Sequence, residues 1–242
     1  MELVRKAKEA IQNSQRLFVV SGAGISAASG IPTFRGEGGL WRGFRAEQLA
    51  TVDAFESDPA QVWEWYRWRR SICRAASPNA AHEALVALEE MLPAFFLATQ
   101  NVDGLHREAG SLKQVELHGS IDRIRCTVCA WIEPNSEDPK EPLKVLPSCT
   151  QCGSLSRPHI LWFGETYWPG VMEQAILEAE RADVCLVVGT SGRVWPPIGL
   201  ALAAKRSGAL LIEVNPEATV LTEQSDLSFR VGAQELLPCF LP

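Results

Sequence analysis

Short apolar runs alternate with amphipathic stretches along most of this chain. Residues 2–13 carry the spacing of a helix with one apolar face, and Arg16–Ser21 (RLFVVS) follows as a strand that opens directly into glycines. His82–Met91 reads as a helix and Ala94–Thr99 (AFFLAT) as a second strand; Val115–Leu117 and Ile160–Phe163 read as a third and a fourth. Val171–Ala182 is a helical pattern, Val184–Gly189 (VCLVVG) the most strand-like run, Pro197–Ser207 a helix and Leu210–Val214 a strand, with Val231 near the last. Continuous apolar runs are what strands covered on both faces require, and their alternation with helices predicts an α/β fold around a doubly wound parallel sheet.

The rhythm breaks twice. Residues 38–81 are rich in Trp and Arg and look helical, whereas 120–158 hold four paired cysteines, several prolines and little periodicity. The expected organisation is a discontinuous Rossmann-like domain of 1–37, 82–119 and 159–242. A helical insertion at 38–81 and a metal-binding insertion at 120–158 then form a smaller module.

Composition narrows the function. With 242 residues, 46% of them hydrophobic, the chain is long enough for a sizeable core. A net charge of −6 argues against nucleic-acid and membrane-surface partners. No apolar run approaches the roughly 18–20 residues of a membrane span, and Met1–Gln15 lacks a signal-peptide core. The expectation is a cytoplasmic protein, and its length favours a monomer. In that compartment seven cysteines point to thiol or metal chemistry rather than disulfides.

Two patterns carry chemistry. Gly22-Ala23-Gly24-Ile25-Ser26-Ala27 follows a strand in the G-x-G-x-x-(G/A) form, where backbone can approach a pyrophosphate. The continuation, Ser29–Gly36, ends the helix early, which disfavours an ordinary dehydrogenase and leaves Phe34 and Arg35 on a loop. Glu213-Val214-Asn215 and Gly189-Thr190-Ser191 each end a strand, where polar groups reach a ligand. Cys126-x-x-Cys129 and Cys149-x-x-Cys152, with nineteen residues between the pairs, suit one tetrahedral four-thiolate zinc. Such a site is closed to substrate and therefore structural. Asn101 and Asp103 follow a strand end and offer an amide and a carboxylate to a carboxamide. His118 follows the next strand and could act as a base near neutral pH.

On these residues the chain resembles the sirtuins, NAD-dependent protein lysine deacylases. The matching stretches are GAGISAASGIPTFRG (22–36), TQNVDGLH (99–106), His118-Gly119, both cysteine pairs, RPHILWFGE (157–165), GTS (189–191) and VNPE (214–217), in family order. The resemblance implies a Rossmann-like large domain, a small zinc-and-helix domain, and a cleft between them for NAD and acyl-lysine. It implies that Gly22, Ala23 and Gly24 cradle the diphosphate, and that Ala27, Phe34 and Arg35 border the ribose and nicotinamide. Gln100 would contact the nicotinamide ribose, and Asn101 and Asp103 would line its pocket, with Val102 between them where many relatives carry isoleucine. His118 would be the catalytic base. Gly189, Ser191, Asn215 and a residue near Ala233 would bind adenosine, and Phe163, Gly164 and Glu165 would pair with the substrate backbone as a strand. NAD would be consumed, giving free lysine, nicotinamide and O-acyl-ADP-ribose.

The acyl group is read from the helical insertion. After Asp58-Pro59, a helix-start signal, Val62, Trp65, Tyr66, Arg69, Ile72 and Cys73 share one face, while Arg67 and Arg70 lie toward others. An arginine on an apolar face needs an anionic partner or a route to water. Tyr-x-x-Arg here resembles the class III sirtuins, in which the pair binds the distal carboxylate of succinyl-, malonyl- or glutaryl-lysine; Ala46 fits the small residue that widens their pocket. The expectation is removal of acidic acyl groups together with acetyl. A mainly deacetylating enzyme and a protein ADP-ribosyltransferase are the alternatives.

Overall fold

The strands of the main sheet owe their order to which faces their apolar residues must cover. The computed structural model describes residues 2–33, 40–41, 43–139, 141, 143–192 and 194–242, the side chains of Leu40 and Trp41 excepted. Phe34 and Arg35 lie outside the described residues.

The chain begins with α1 (Glu2–Gln12) and β1 (Arg16–Ser21), then a 3-10 helix (Ala23–Ser29). The helical insertion comprises a two-residue hairpin, β2 (Leu40–Trp41) and β3 (Phe44–Arg45), then α2 (Ala46–Leu49), α3 (Val52–Ser57) and α4 (Pro59–Ala75). The central segment carries α5 (Ala80–Met91), β4 (Ala94–Thr99), α6 (Leu105–Ala109) and β5 (Gln114–Glu116). β6 (Gly119–Cys126), β7 (Ile132–Pro134) and β8 (Ser156–Ile160) follow, then α7 (Val171–Glu180), β9 (Val184–Val188), α8 (Trp195–Arg206), β10 (Leu210–Val214), β11 (Leu227–Phe229) and α9 (Ala233–Leu236).

Six parallel strands form the main sheet in the order β11-β10-β9-β1-β4-β5. Alternate residues serve opposite cores. Leu17, Val19, Leu186 and Val188 face α1, α5 and α9, while Phe18, Val20, Cys185 and Val187 face α7 and α8. This is the doubly wound α/β sheet expected. The chain leaves β1 for β4 on one side and returns to β9 on the other, so the crevice at their carboxyl ends is the topological switch point.

One expectation is corrected. Ile160–Phe163 is not a strand of the parallel sheet: Ser156–Ile160 pairs antiparallel with β6 in a separate three-stranded sheet, β7-β6-β8. Its apolar run reads like its parallel counterparts because Ile160 and Trp162 enter a third core with Tyr66, Val102, Ile121 and Ile124. Arg67 and Arg70, on other faces of α4 as expected, meet a second surface of the protein. Both are buried under residues 135–138, Arg67 with Glu137 at 3.3 Å and Arg70 with Asp122 at 3.2 Å and the Glu137 carbonyl at 2.6 Å. The helical period located the apolar stripe and missed the second surface that an insertion distant in sequence lays over α4. Among the described residues no helix is long and apolar enough to cross a membrane.

Candidate active site

The glycines after β1 are required by a second loop. Gly22 donates to the Val188 carbonyl at 3.0 Å and Gly24 to the Gly189 carbonyl at 2.8 Å. A Cβ on Gly24 would sit 2.7 Å from that oxygen, and Gly189 itself has φ +60°. The ends of β1 and β9 are thus joined backbone to backbone, which only glycine permits. Gln100 closes the same corner, donating its amide to Thr190 Oγ1 at 3.0 Å and to the Ser21 carbonyl at 3.3 Å.

Ser26 is the hub of the next layer. Its hydroxyl accepts from the Asn101 side-chain amide at 3.1 Å and donates to Asp103 Oδ2 at 2.8 Å. Burial pushes Asp103 upward, opposed by the Leu105 N–H, by Ser26 and by the Arg69 charge. Sequence reasoning gave Asn101 and Asp103 chemistry but not Ser26; its place in the glycine run, five residues past the strand, was the available signal. Ala23, Ile31, Thr33, Asn101, Val102, Asp103 and Arg69 line one cavity above this layer. Ala27 is exposed and does not line this cavity.

His118 contacts the backbone of Gln100, the residue before Asn101. Its Nδ1 is 3.0 Å from the Gln100 carbonyl and its Nε2 3.1 Å from the Tyr167 hydroxyl. Burial pushes His118 down to about 4, with the Gln100 carbonyl acting the other way.

On α4 the Arg69 guanidinium packs over the rings of Trp65 and Tyr66, 5.0 and 5.3 Å from their centroids. Burial lowers its basicity, while the Asp103 carboxylate and a hydrogen bond to Tyr66 support its cationic form. Arg69 lines the cavity; the Tyr66 ring sits behind it, its hydroxyl accepting from Trp162 Nε1 at 2.8 Å. Burial pushes Tyr66 up to about 12. Ala46 is buried in the same core.

The segment after β8 is held as a turn. Arg157 grips Glu165 through two bonds of 2.7 and 2.8 Å, Glu165 also accepts the Trp162 N–H at 2.8 Å, and the guanidinium stacks on the Trp162 ring at 3.3 Å. Burial pushes Glu165 up, but Arg157 and that N–H outweigh it and hold it below its usual range. Phe163 is exposed and gives its N–H to the Ala50 carbonyl at 3.0 Å; Gly164 is exposed with φ +88°.

At the other strand ends the polar groups are partly engaged. Glu213 is buried and accepts from Thr222, Ser228 and Arg230, so its carboxylate is spent within the protein. Asn215 donates its amide to the Glu217 carbonyl at 2.8 Å, Ser191 is half-buried, and the Ala233 side chain points into the core beneath α5.

The four cysteine sulfurs lie within 4.8 Å of one another, with Cys126–Cys152 at 3.5 Å and Cys129–Cys149 at 3.6 Å. Four thiolates at roughly 2.3 Å from zinc would be about 3.8 Å apart, so the set fits one tetrahedral ion. The N–H groups of Val128 and Gln151 point at Cys126 and Cys149 at 3.3 Å, as metal-binding knuckles need for thiolate charge. Cys73, Cys185 and Cys239 stand apart from the cluster.

A model described as the Sir2 family matches residues 22–196. An NAD-dependent protein deacylase of Leptospira interrogans is 50% identical over 224 residues, covering 93% of this chain and 91% of its own. One of Thermococcus kodakarensis is 50% identical over 222 residues, covering 90% of this chain and 86% of its own. Among solved structures, a Sir2 homologue–NAD complex is 44% identical with a TM-score of 0.92, covering 98% of this chain and 91% of its own. A complex of Sir2 with a p53 peptide and NAD is 31% identical with a TM-score of 0.84, covering 97% and 95%.

Proposed function

This chain belongs to the Sir2 family and is an NAD-dependent protein deacylase, and we propose that the acyl groups it removes include those ending in a carboxylate: succinyl, malonyl and glutaryl, alongside acetyl. The observation that carries the reading is Arg69, a cation packed on two aromatic rings at the wall of a cavity shared with Asn101 and Asp103. A guanidinium so placed is weakly hydrated and presents a fork that matches a carboxylate.

In this reading the backbone of Gly22–Gly24 holds the diphosphate, Gln100, Ala27 and the 34–35 segment border the ribose, and Asn101 and Asp103, fixed by Ser26, orient the carboxamide. NAD supplies a glycosidic bond to a cationic nicotinamide, which the acyl oxygen replaces. His118, its Nδ1–H held by Gln100, takes a proton from a ribose hydroxyl at Nε2. Gly189, Ser191, Asn215 and the backbone near Ala233 face the adenosine half, and Phe163–Glu165 flank the peptide. One water is consumed in releasing the lysine amine, and the products are free lysine, nicotinamide and O-acyl-ADP-ribose. Zinc stays with Cys126, Cys129, Cys149 and Cys152, away from the chemistry. A cytoplasmic location is supported by four cysteines gathered as a thiolate metal set rather than paired in disulfides.

Arg69→Met tests the carboxylate clamp. A charge-assisted hydrogen bond contributes about 1.5–3 kcal/mol, so kcat/KM for a succinyl-lysine peptide should fall roughly 10- to 100-fold more than for the acetyl peptide. Equal losses on both would return Arg69 to a packing role.

A further inference from the structure

His118 has one basic nitrogen, and a side chain of this chain already occupies it. A carbonyl oxygen only accepts, so the 3.0 Å contact with Gln100 puts the ring proton on Nδ1. Nε2 is left with a lone pair, and the Tyr167 hydroxyl, 3.1 Å away, donates to it. The two rings are 5.9 Å apart at their centroids and tilted by 38°. Tyr167 lies between the Trp162–Glu165 turn and α7, half-buried against the core formed with Ala175 and Ala179.

We propose that Tyr167 is a positioning residue for the base: in the free enzyme its hydroxyl holds the Nε2 lone pair of His118, and it gives way to a ribose hydroxyl when NAD binds. The inference rests on the reading of His118 as the base. One lone pair accepts one good hydrogen bond, so the ribose proton reaches Nε2 only after Tyr167 has withdrawn. The ribose O–H bond then breaks with its electron pair left on oxygen, the N–H bond forms on His118, and Tyr167 keeps its own proton. The exchange keeps a buried acceptor from standing unpaired before the cosubstrate arrives. Burial pushes Tyr167 up to about 12, so it remains a donor throughout the neutral range. Besides this hydroxyl, burial lowers the basicity of His118 and the Gln100 carbonyl raises it, and Tyr167 is the titratable group that the ring touches.

Tyr167→Phe removes the donor and keeps the ring. A donor to the neutral imidazole favours the neutral form, so its loss makes His118 more basic in the free enzyme. The acid limb of kcat/KM for NAD should therefore move to higher pH by about 0.5–1, while the limb of kcat, which reports the bound complex, stays in place. A nitrogen-15 NMR titration of the free protein should show the His118 imidazole moving the same way. An unmoved titration overturns the role of Tyr167. Both kinetic limbs moving together overturns the exchange, because Tyr167 then stays on His118 in the complex. A titration that moves while kcat/KM does not would instead remove His118 from the role of base, and the exchange with it.

Discussion

All four histidines of this chain are held below their ordinary basicity by burial: His82, His118 and His159 at about 4 and His106 at about 3. In the unfolded chain each titrates near 6.5. As pH falls below that value the unfolded chain takes up protons that the folded one refuses, so stability is whole above about pH 6.5 and is lost toward pH 4. His118 is only half-buried and counts for less, and Asp103 and Glu116, pushed upward by burial, act in the opposite sense. The expected outcome is a urea midpoint level above about pH 7 that drops between about pH 6.5 and 5, with net proton uptake on unfolding. A midpoint that does not change across that interval would contradict imidazoles held neutral by the fold. At this scale the sequence was most informative where type and spacing coincide: the four cysteines converge, and Arg69 faces a cavity. It was silent on Ser26 and Tyr167, because hydroxyls acquire meaning only from what folding brings beside them.

At the scale of elements, β1 and β4 carry the bounds expected for them, since strands buried on both faces are continuous apolar runs. β6 was not legible. Its apolar positions, Ile121 and Ile124, do not alternate cleanly, and its pairing with β8 shifts register between Gly119 and Ile124. The sheet it forms is small, and among the described residues 127–155 between β6 and β8 only Leu143, Leu146, Cys149 and Leu155 add to apolar packing beyond it. Metal should therefore supply the stability that the core does not. Removing zinc with a chelator is expected to unfold this segment, raise its amide exchange and abolish deacylation, with one zinc per chain by mass spectrometry of the native protein. Full activity after complete metal loss would contradict that dependence.

For the whole molecule, the sheet order puts the Gly22–Gly24 and Gly189–Thr190 loops at one switch point, and the third core joins the helical insertion to the antiparallel sheet through Tyr66, Val102 and Trp162. The consequence is a single connected wall. Asn101 and Asp103 stand on either side of Val102, whose side chain enters that core, and Trp162 ties Tyr66 to the turn at Phe163–Glu165. The fold class and the order of motifs were legible because local pattern dictates them. The contacts between insertions were not, because residues about 70–100 positions apart decide them, as in Arg70 with Asn135–Glu137 and Tyr66 with Trp162. The most direct measurement is deacylation of one peptide carrying either succinyl-lysine or acetyl-lysine, with and without NAD. Strict NAD dependence with kcat/KM at least about tenfold higher for the succinyl peptide is the expected result; NAD-dependent turnover that favours the acetyl peptide would contradict the role given to Arg69.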